Sequence, residues 1–200
     1  MPLLPWEVVE RIIQYASDDL ELLRSFSLTC RQLRPRSFSL IVARYIFLGS
    51  RDRVSEFYDF LLENAELRSS IQSLTISPAD FSPVPLVNML SRLSTLIFVS
   101  PGSKENVRPG NRPAIKLHPA ILNCYHSFGK RIHTLSLSRL SFRTSSDLFR
   151  LLLTFPNARH ITCNDIVIES TEKETSTVEV LKTKLSKQLQ PETLDVRMFP

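Results

Sequence analysis

One short pattern recurs five times along this chain: IQSLTI at 71–76, LSTLIF at 93–98, IHTLSL at 132–137, ARHITC at 158–163 and PETLDV at 191–196. Each copy sets apolar residues two positions apart, the spacing of a strand with one buried face. The stretches between them, 84–92, 119–128, 146–155 and 177–189, instead carry apolar residues at helical spacing, such as Val178, Leu181, Leu185 and Leu189. Strands of about five residues separated by helices run parallel, because a parallel connection needs roughly a dozen residues. The expected fold is mixed α/β, with a parallel sheet of about five strands.

Two parallel architectures compete. A doubly wound nucleotide-binding sheet carries a glycine fingerprint after an early strand. The glycines here, Gly49, Gly102, Gly110 and Gly129, have no such spacing. A solenoid instead stacks near-identical units, each burying its apolar face on the next. The central motif residues 74, 96, 135, 161 and 194 are separated by 22, 39, 26 and 33 positions. That fits leucine-rich repeats in which two units carry insertions. The expectation for 67–200 is therefore a short, irregular leucine-rich-repeat-like solenoid with its helices on the convex side. The longest step contains SPGSKENVRPGNRP, a loop by its glycines and prolines.

If Leu74/Ile76, Leu96/Phe98, Leu135/Leu137, Ile161/Cys163 and Leu194/Val196 point into the core, the alternate residues occupy the opposite, concave face. These are Ser73, Thr75, Thr95, Ile97, Thr134, Ser136, His160 and Thr162, continued by Thr193 and Asp195. Small, neutral and hydroxylic, that face suits docking of a protein better than catalysis, which needs convergent groups with shifted proton affinities.

The 200 residues are 42% hydrophobic, enough for a substantial core. No apolar run approaches the roughly 18 residues of a membrane span, and MPLLPWEVV lacks the basic start and cleavage site of a secretory leader. Cys30, Cys124 and Cys163 lie far apart with no Cys-x-x-Cys pair, which points to a reducing, cytoplasmic and/or nuclear setting. The net charge of +5 is scattered, with only Lys104, Arg108, Arg112 and Lys116 approaching a cluster. Nucleic-acid binding is not expected from that pattern.

The opening stretch, LPWEVVERIIQYASDDLELLRSFSLTCRQLR at 4–34, is more apolar than three short helices need. On a helical wheel Trp6, Val8, Val9, Ile12, Ile13, Tyr15 and Ala16 fill one half, and Glu7, Glu10, Arg11 and Gln14 the other. Leu20, Leu22, Leu23 and Phe26 repeat the excess. One core needs a stripe only somewhat over ~100° wide, so a partner is expected on the surplus. Then come a strand at 46–48, ended by Gly49, and a helix at 52–63 that Ser50 or Asp52 can cap. The segment 41–66 reads as a connector.

Leu4, Pro5, Glu7, Val8, Ile12, Asp19, Leu20, Leu23, Ser27, Leu28, Cys30 and Arg31 follow one ordered pattern: Leu-Pro-x-Glu, an apolar pair, an isoleucine, Asp-Leu, then Ser-Leu-x-Cys-Arg. This resembles an F-box, covering 1–40, and with the repeats it is similar to the F-box/leucine-rich-repeat proteins, particularly the divergent fungal set. One departure is that Gln32-Leu33 stands where many F-boxes carry a tryptophan. The resemblance implies three helices that bind the Skp linker subunit, and through it a cullin, of a RING ubiquitin ligase. It further implies a repeat domain that selects a protein substrate. It assigns Skp contacts to Leu4, Pro5, Val8, Ile12, Leu20, Leu23, Leu28 and Cys30. The alternatives are that the helices only cap the array, or that the chain is a repeat scaffold with no ligase attached.

No enzyme, metal or cofactor is expected. Cys124, His126 and His133 lack a fourth ligand at recognised spacing, and the two on the helix project differently. SFGKR is no phosphate loop; it reads as a helix ending at Gly129 with Lys130 and Arg131 at its negative end. No Gly-x-Ser-x-Gly elbow occurs. Ser77-Pro78, Ser82-Pro83 and Ser100-Pro101 read as turns. After Val196 only Arg197, Met198, Phe199 and Pro200 follow, and Met198 with Phe199 is expected to fold over the last repeat as a lid.

Overall fold

The computed structural model describes residues 5–29, 31–78, 83–100, 114–115, 117–169, 180, 183–187, 189 and 191–198. Three helices open the chain: α1 (Trp6–Tyr15), α2 (Leu20–Thr29) and α3 (Arg34–Arg44). Ile13, Ala16 and Leu23 bury themselves between them, joined by Val9, Phe26, Leu33, Leu40 and Ile41. A tight 3-10 turn, Ala16–Asp18, separates the first two helices. The Asp19 carboxylate caps α2 by accepting from the Leu22 N–H at 2.9 Å.

The sheet follows. Its strands are β1 (Ile46–Leu48), β2 (Ser73–Ile76), β3 (Thr95–Val99), β4 (Thr134–Ser138), β5 (Ser141–Phe142), β6 (His160–Ile168) and β7 (Thr193–Met198). The main path runs β1-β2-β3-β4-β6-β7, every pair parallel and every strand beside its predecessor on that path. Short β5 instead joins the far half of β6, through Ser141 opposite Val167 and Phe142 opposite Ile168. Asp165 makes this possible. It adopts φ 57° where the β6–β7 register shifts, and such a bulge bends the strand toward a new neighbour.

Among the described residues the sheet thus has seven strands rather than about five, because β1 and β5 belong to it. Three residues, IFL, are too few to display the motif, yet Ile46 and Leu48 are buried opposite Leu74 and Ile76. The strand assigned to a connector is therefore part of the sheet. The boundary drawn at residue 40 likewise falls inside α3, whose Leu40 and Ile41 pack on the first cluster while Val42 joins the second.

The other helices are α4 (Arg51–Glu63), α5 (Val84–Met89), α6 (Pro119–Gly129) and α7 (Ser145–Leu153). Ser50 caps α4 and Thr144 caps α7, each side chain accepting a first-turn N–H. These helices share one large cluster with the strand residues Leu74, Ile76, Leu96, Phe98, Leu135, Leu137, Ile161 and Cys163, as the period of two required. Phe98, Tyr125, Phe128 and Phe155 form its aromatic centre, with ring centroids 5.5 to 6.4 Å apart. Residues 183–187 are helical, and Leu189 is buried in the same cluster.

Leu194 corrects the expected core. It lies opposite Ile161 on the core side, yet it is 61% exposed, because β7 is the edge of the main path. The Met198 backbone pairs with Ile166, so that residue extends a strand, while Phe199 lies outside the described residues. The basic cluster Lys104, Arg108, Arg112 and Lys116 and residues 177–179, 181–182 and 188 of the last helical stretch also lie outside them. Among the described residues, no helix is long and apolar enough to cross a membrane.

Candidate functional site

The apolar arc of α1 divides in two. Ile13 and Ala16 turn inward with Val9 beside them, whereas Val8, Ile12 and Tyr15 remain exposed. Those three are spaced i, i+4, i+7, one row along the helix flanking the buried stripe. Trp6 is exposed as well, as are Leu22 and Leu28 on α2, the last at 86%. Such a row is the form in which an amphipathic helix meets a groove.

Of the residues assigned to a partner, Pro5, Val8, Ile12 and Leu28 are exposed and Leu20 is half-buried. Leu4 and Cys30 lie outside the described residues. Leu23 is a correction: at 0% exposure it is the centre of the three-helix core and unreachable by a partner. The wheel alone could not separate it from Leu22, because both lie on the broad apolar side of α2. The exposed Tyr15 and Leu22 were missing from the assigned set, and the packing that distinguishes them involves α3, distant in sequence.

The three helices are fixed to the sheet through α3. Arg44 pairs with Asp18 and donates to Ser17 Oγ at 3.0 Å, while the Tyr45 hydroxyl donates to Ser17 O at 2.9 Å. Phe38 meets Phe60 of α4 edge-on at 6.4 Å.

The second surface is the open side of the sheet. Register aligns Ser73, Thr95, Thr134, His160 and Thr193 in one row, and Phe47, Thr75, Ile97, Ser136, Thr162 and Asp195 in the next. The eight assigned residues are therefore neighbours, and all are at least partly exposed. His160 Nδ1 lies 2.7 Å from Thr193 Oγ1, linking two strands across the face. The exposed ring of Phe47 extends that face; it escaped notice because β1 was assigned to a connector.

The third feature was not foreseen. A concavity of about 560 Å³ opens where β5 and β6 end, with Ile115 and Leu117 at its apolar side and His118, Arg143, Asp147 and Glu169 around it. Glu169 Oε1 accepts from the Ser141 hydroxyl at 3.1 Å, and His118 Nδ1 accepts from the Ala120 N–H at 3.2 Å. These residues come from separate segments, so no local motif marks them.

The shifted proton affinities lie inside. Burial raises the Tyr125 phenol above its usual range, helped by neighbouring Cys124, and burial pushes the Cys163 thiol up to about 11. Both disfavour ionisation, the opposite of activation for nucleophilic attack. Ser77, 1% exposed, is no surface phosphorylation site, and its Ser-Pro step ends β2 as the turn reading required.

No family model, no curated protein and no solved structure matches the chain.

Proposed function

We propose that the chain is a substrate-recognition adaptor: its first three helices are an F-box that binds a Skp linker protein and thereby a cullin, and its sheet is a short leucine-rich-repeat-like solenoid that docks a protein substrate. The observation carrying this reading is the bare row Val8, Ile12 and Tyr15, left outside both hydrophobic clusters beside the buried stripe of the same helix. A helix that only capped the repeats would bury its apolar side on them; α1 buries half on α2 and α3 and leaves the other half for a partner. The order of the Leu-Pro-x-Glu to Ser-Leu-x-Cys-Arg pattern supports the same assignment. So does a strand path that keeps chain order from β1 to β7, the arrangement stacked repeat units require.

Amide hydrogen exchange with and without a Skp linker protein tests the proposal. Protection is expected over Trp6–Tyr15 and Leu20–Thr29, and none over Thr134–Ser138. Protection confined to the sheet, or absent, contradicts it. The open sheet face favours a second reading, a repeat scaffold with no ligase, in which Skp protects nothing.

A further inference from the structure

We infer that the groove between the end of α2 and the start of α3 receives an acidic protein segment carrying an apolar anchor, contributed by the partner that covers the α1 row. The inference rests on the adaptor reading and adds the chemistry of the partner's contact. The groove has a volume of about 440 Å³ and is lined by Ser27, Leu28, Thr29, Arg31, Arg34 and Phe38. Every charged group lining it is a cation. Arg24 is engaged with Glu21, Arg36 with Gln14 and Arg44 with Asp18, and exposed Arg11 of α1 does not line the groove. The Arg31 and Arg34 side chains have no hydrogen bond or ion pair among the described residues, and both residues are exposed. Their planar forks are therefore available to carboxylates in paired hydrogen bonds.

The neighbouring groups reinforce that preference. The Ser27 and Thr29 hydroxyls donate to the Arg24 and Ser25 carbonyls, both at 2.7 Å, so the side-chain donors of the groove are the guanidinium groups. Helix α3 starts at Arg34 with no side chain capping its first-turn amides, which adds positive potential at that end. Leu28 and the half-open Phe38 supply the apolar walls that an anchor residue would fill. Leu28 also belongs to the partner face described above, which joins the groove to it.

The test measures association of a Skp linker protein with the full chain at about 0.05 M and about 0.5 M salt. The variants are Arg31→Glu/Arg34→Glu, Arg51→Glu on α4 as a remote charge control, Leu28→Ser and Ile12→Asp. The double reversal is expected to slow association about tenfold at low salt, a gap that closes at high salt as the charges are screened. Leu28→Ser should speed dissociation several-fold, and Arg51→Glu should match the parent. If the double reversal associates like Arg51→Glu at low salt while Ile12→Asp fails to bind, the groove inference is wrong and the adaptor reading survives. If the parent chain does not bind, both fall.

Discussion

Individual residues make the sharpest claims about packing. Gly129 ends α6 against the turn that closes α7; a Cβ built there would lie 1.8 Å from the Thr154 carbonyl oxygen. Neither backbone can yield cheaply, so Gly129→Ala should destabilise the fold by several kcal/mol, on the scale of overpacked cores. Thermal denaturation would read it as a large fall in Tm, and an unchanged Tm would contradict the close approach. The sequence marked this glycine as a helix end, but the neighbour it admits is 25 positions away and left no local sign. Tyr125 works the other way. Its hydroxyl is buried among aromatic rings with no hydrogen-bond partner among the described residues, so Tyr125→Phe should leave stability unchanged or raise it by up to about 1 kcal/mol, read as an equal or higher Tm. Cys163 adds a pH dependence. Its folded pKa of about 11 exceeds the unfolded thiol's value of about 8.5. The preference for the neutral thiol is fully present below about 8.5 and lost as pH rises through about 11. Stability should decline over that window, less steeply in Cys163→Ala; equal slopes would remove this thiol from the balance.

At the scale of elements, the repeated strand motif was legible because its signal is local: Leu74, Leu96, Leu135 and Ile161 occupy equivalent positions and each is buried. Three things were not local. β1 is too short to show a period, α3 crosses the boundary between the two clusters, and Leu194 loses its cover because its strand forms an edge. The apolar faces of α1 and α2 divide in the same way. The excess width of the α1 arc could be read from the wheel, but which part of α2 faces inward depends on α3. A pair of substitutions separates the two sides. Leu23→Asp places a carboxylate in the three-helix core and should unfold it, at a cost of several kcal/mol. Leu28→Asp, on an 86% exposed position, should melt within about 0.5 kcal/mol of the parent by circular dichroism. Equal destabilisation by both would mean that α2 is rotated from its described orientation.

The whole molecule joins a helical end that leaves apolar side chains bare to a sheet whose open side is a lattice of hydroxyls. The link between them is α3, which Arg44 and Tyr45 join to the turn after α1 and Phe38 joins to α4. If the bare row on α1 is a partner-binding face, calorimetric titration of a Skp linker protein into the parent chain and into Ile12→Asp separates the two proteins. Ile12 is 46% exposed and outside both hydrophobic clusters, so the aspartate should leave the three helices folded. Facing a partner, the same carboxylate would be desolvated at a cost of several kcal/mol, enough to remove a micromolar interaction worth about 8 kcal/mol from the measurable range. Saturable heat with the parent and none with the folded Ile12→Asp protein is the expected result. Equal binding by both, or none by the parent, would contradict the account.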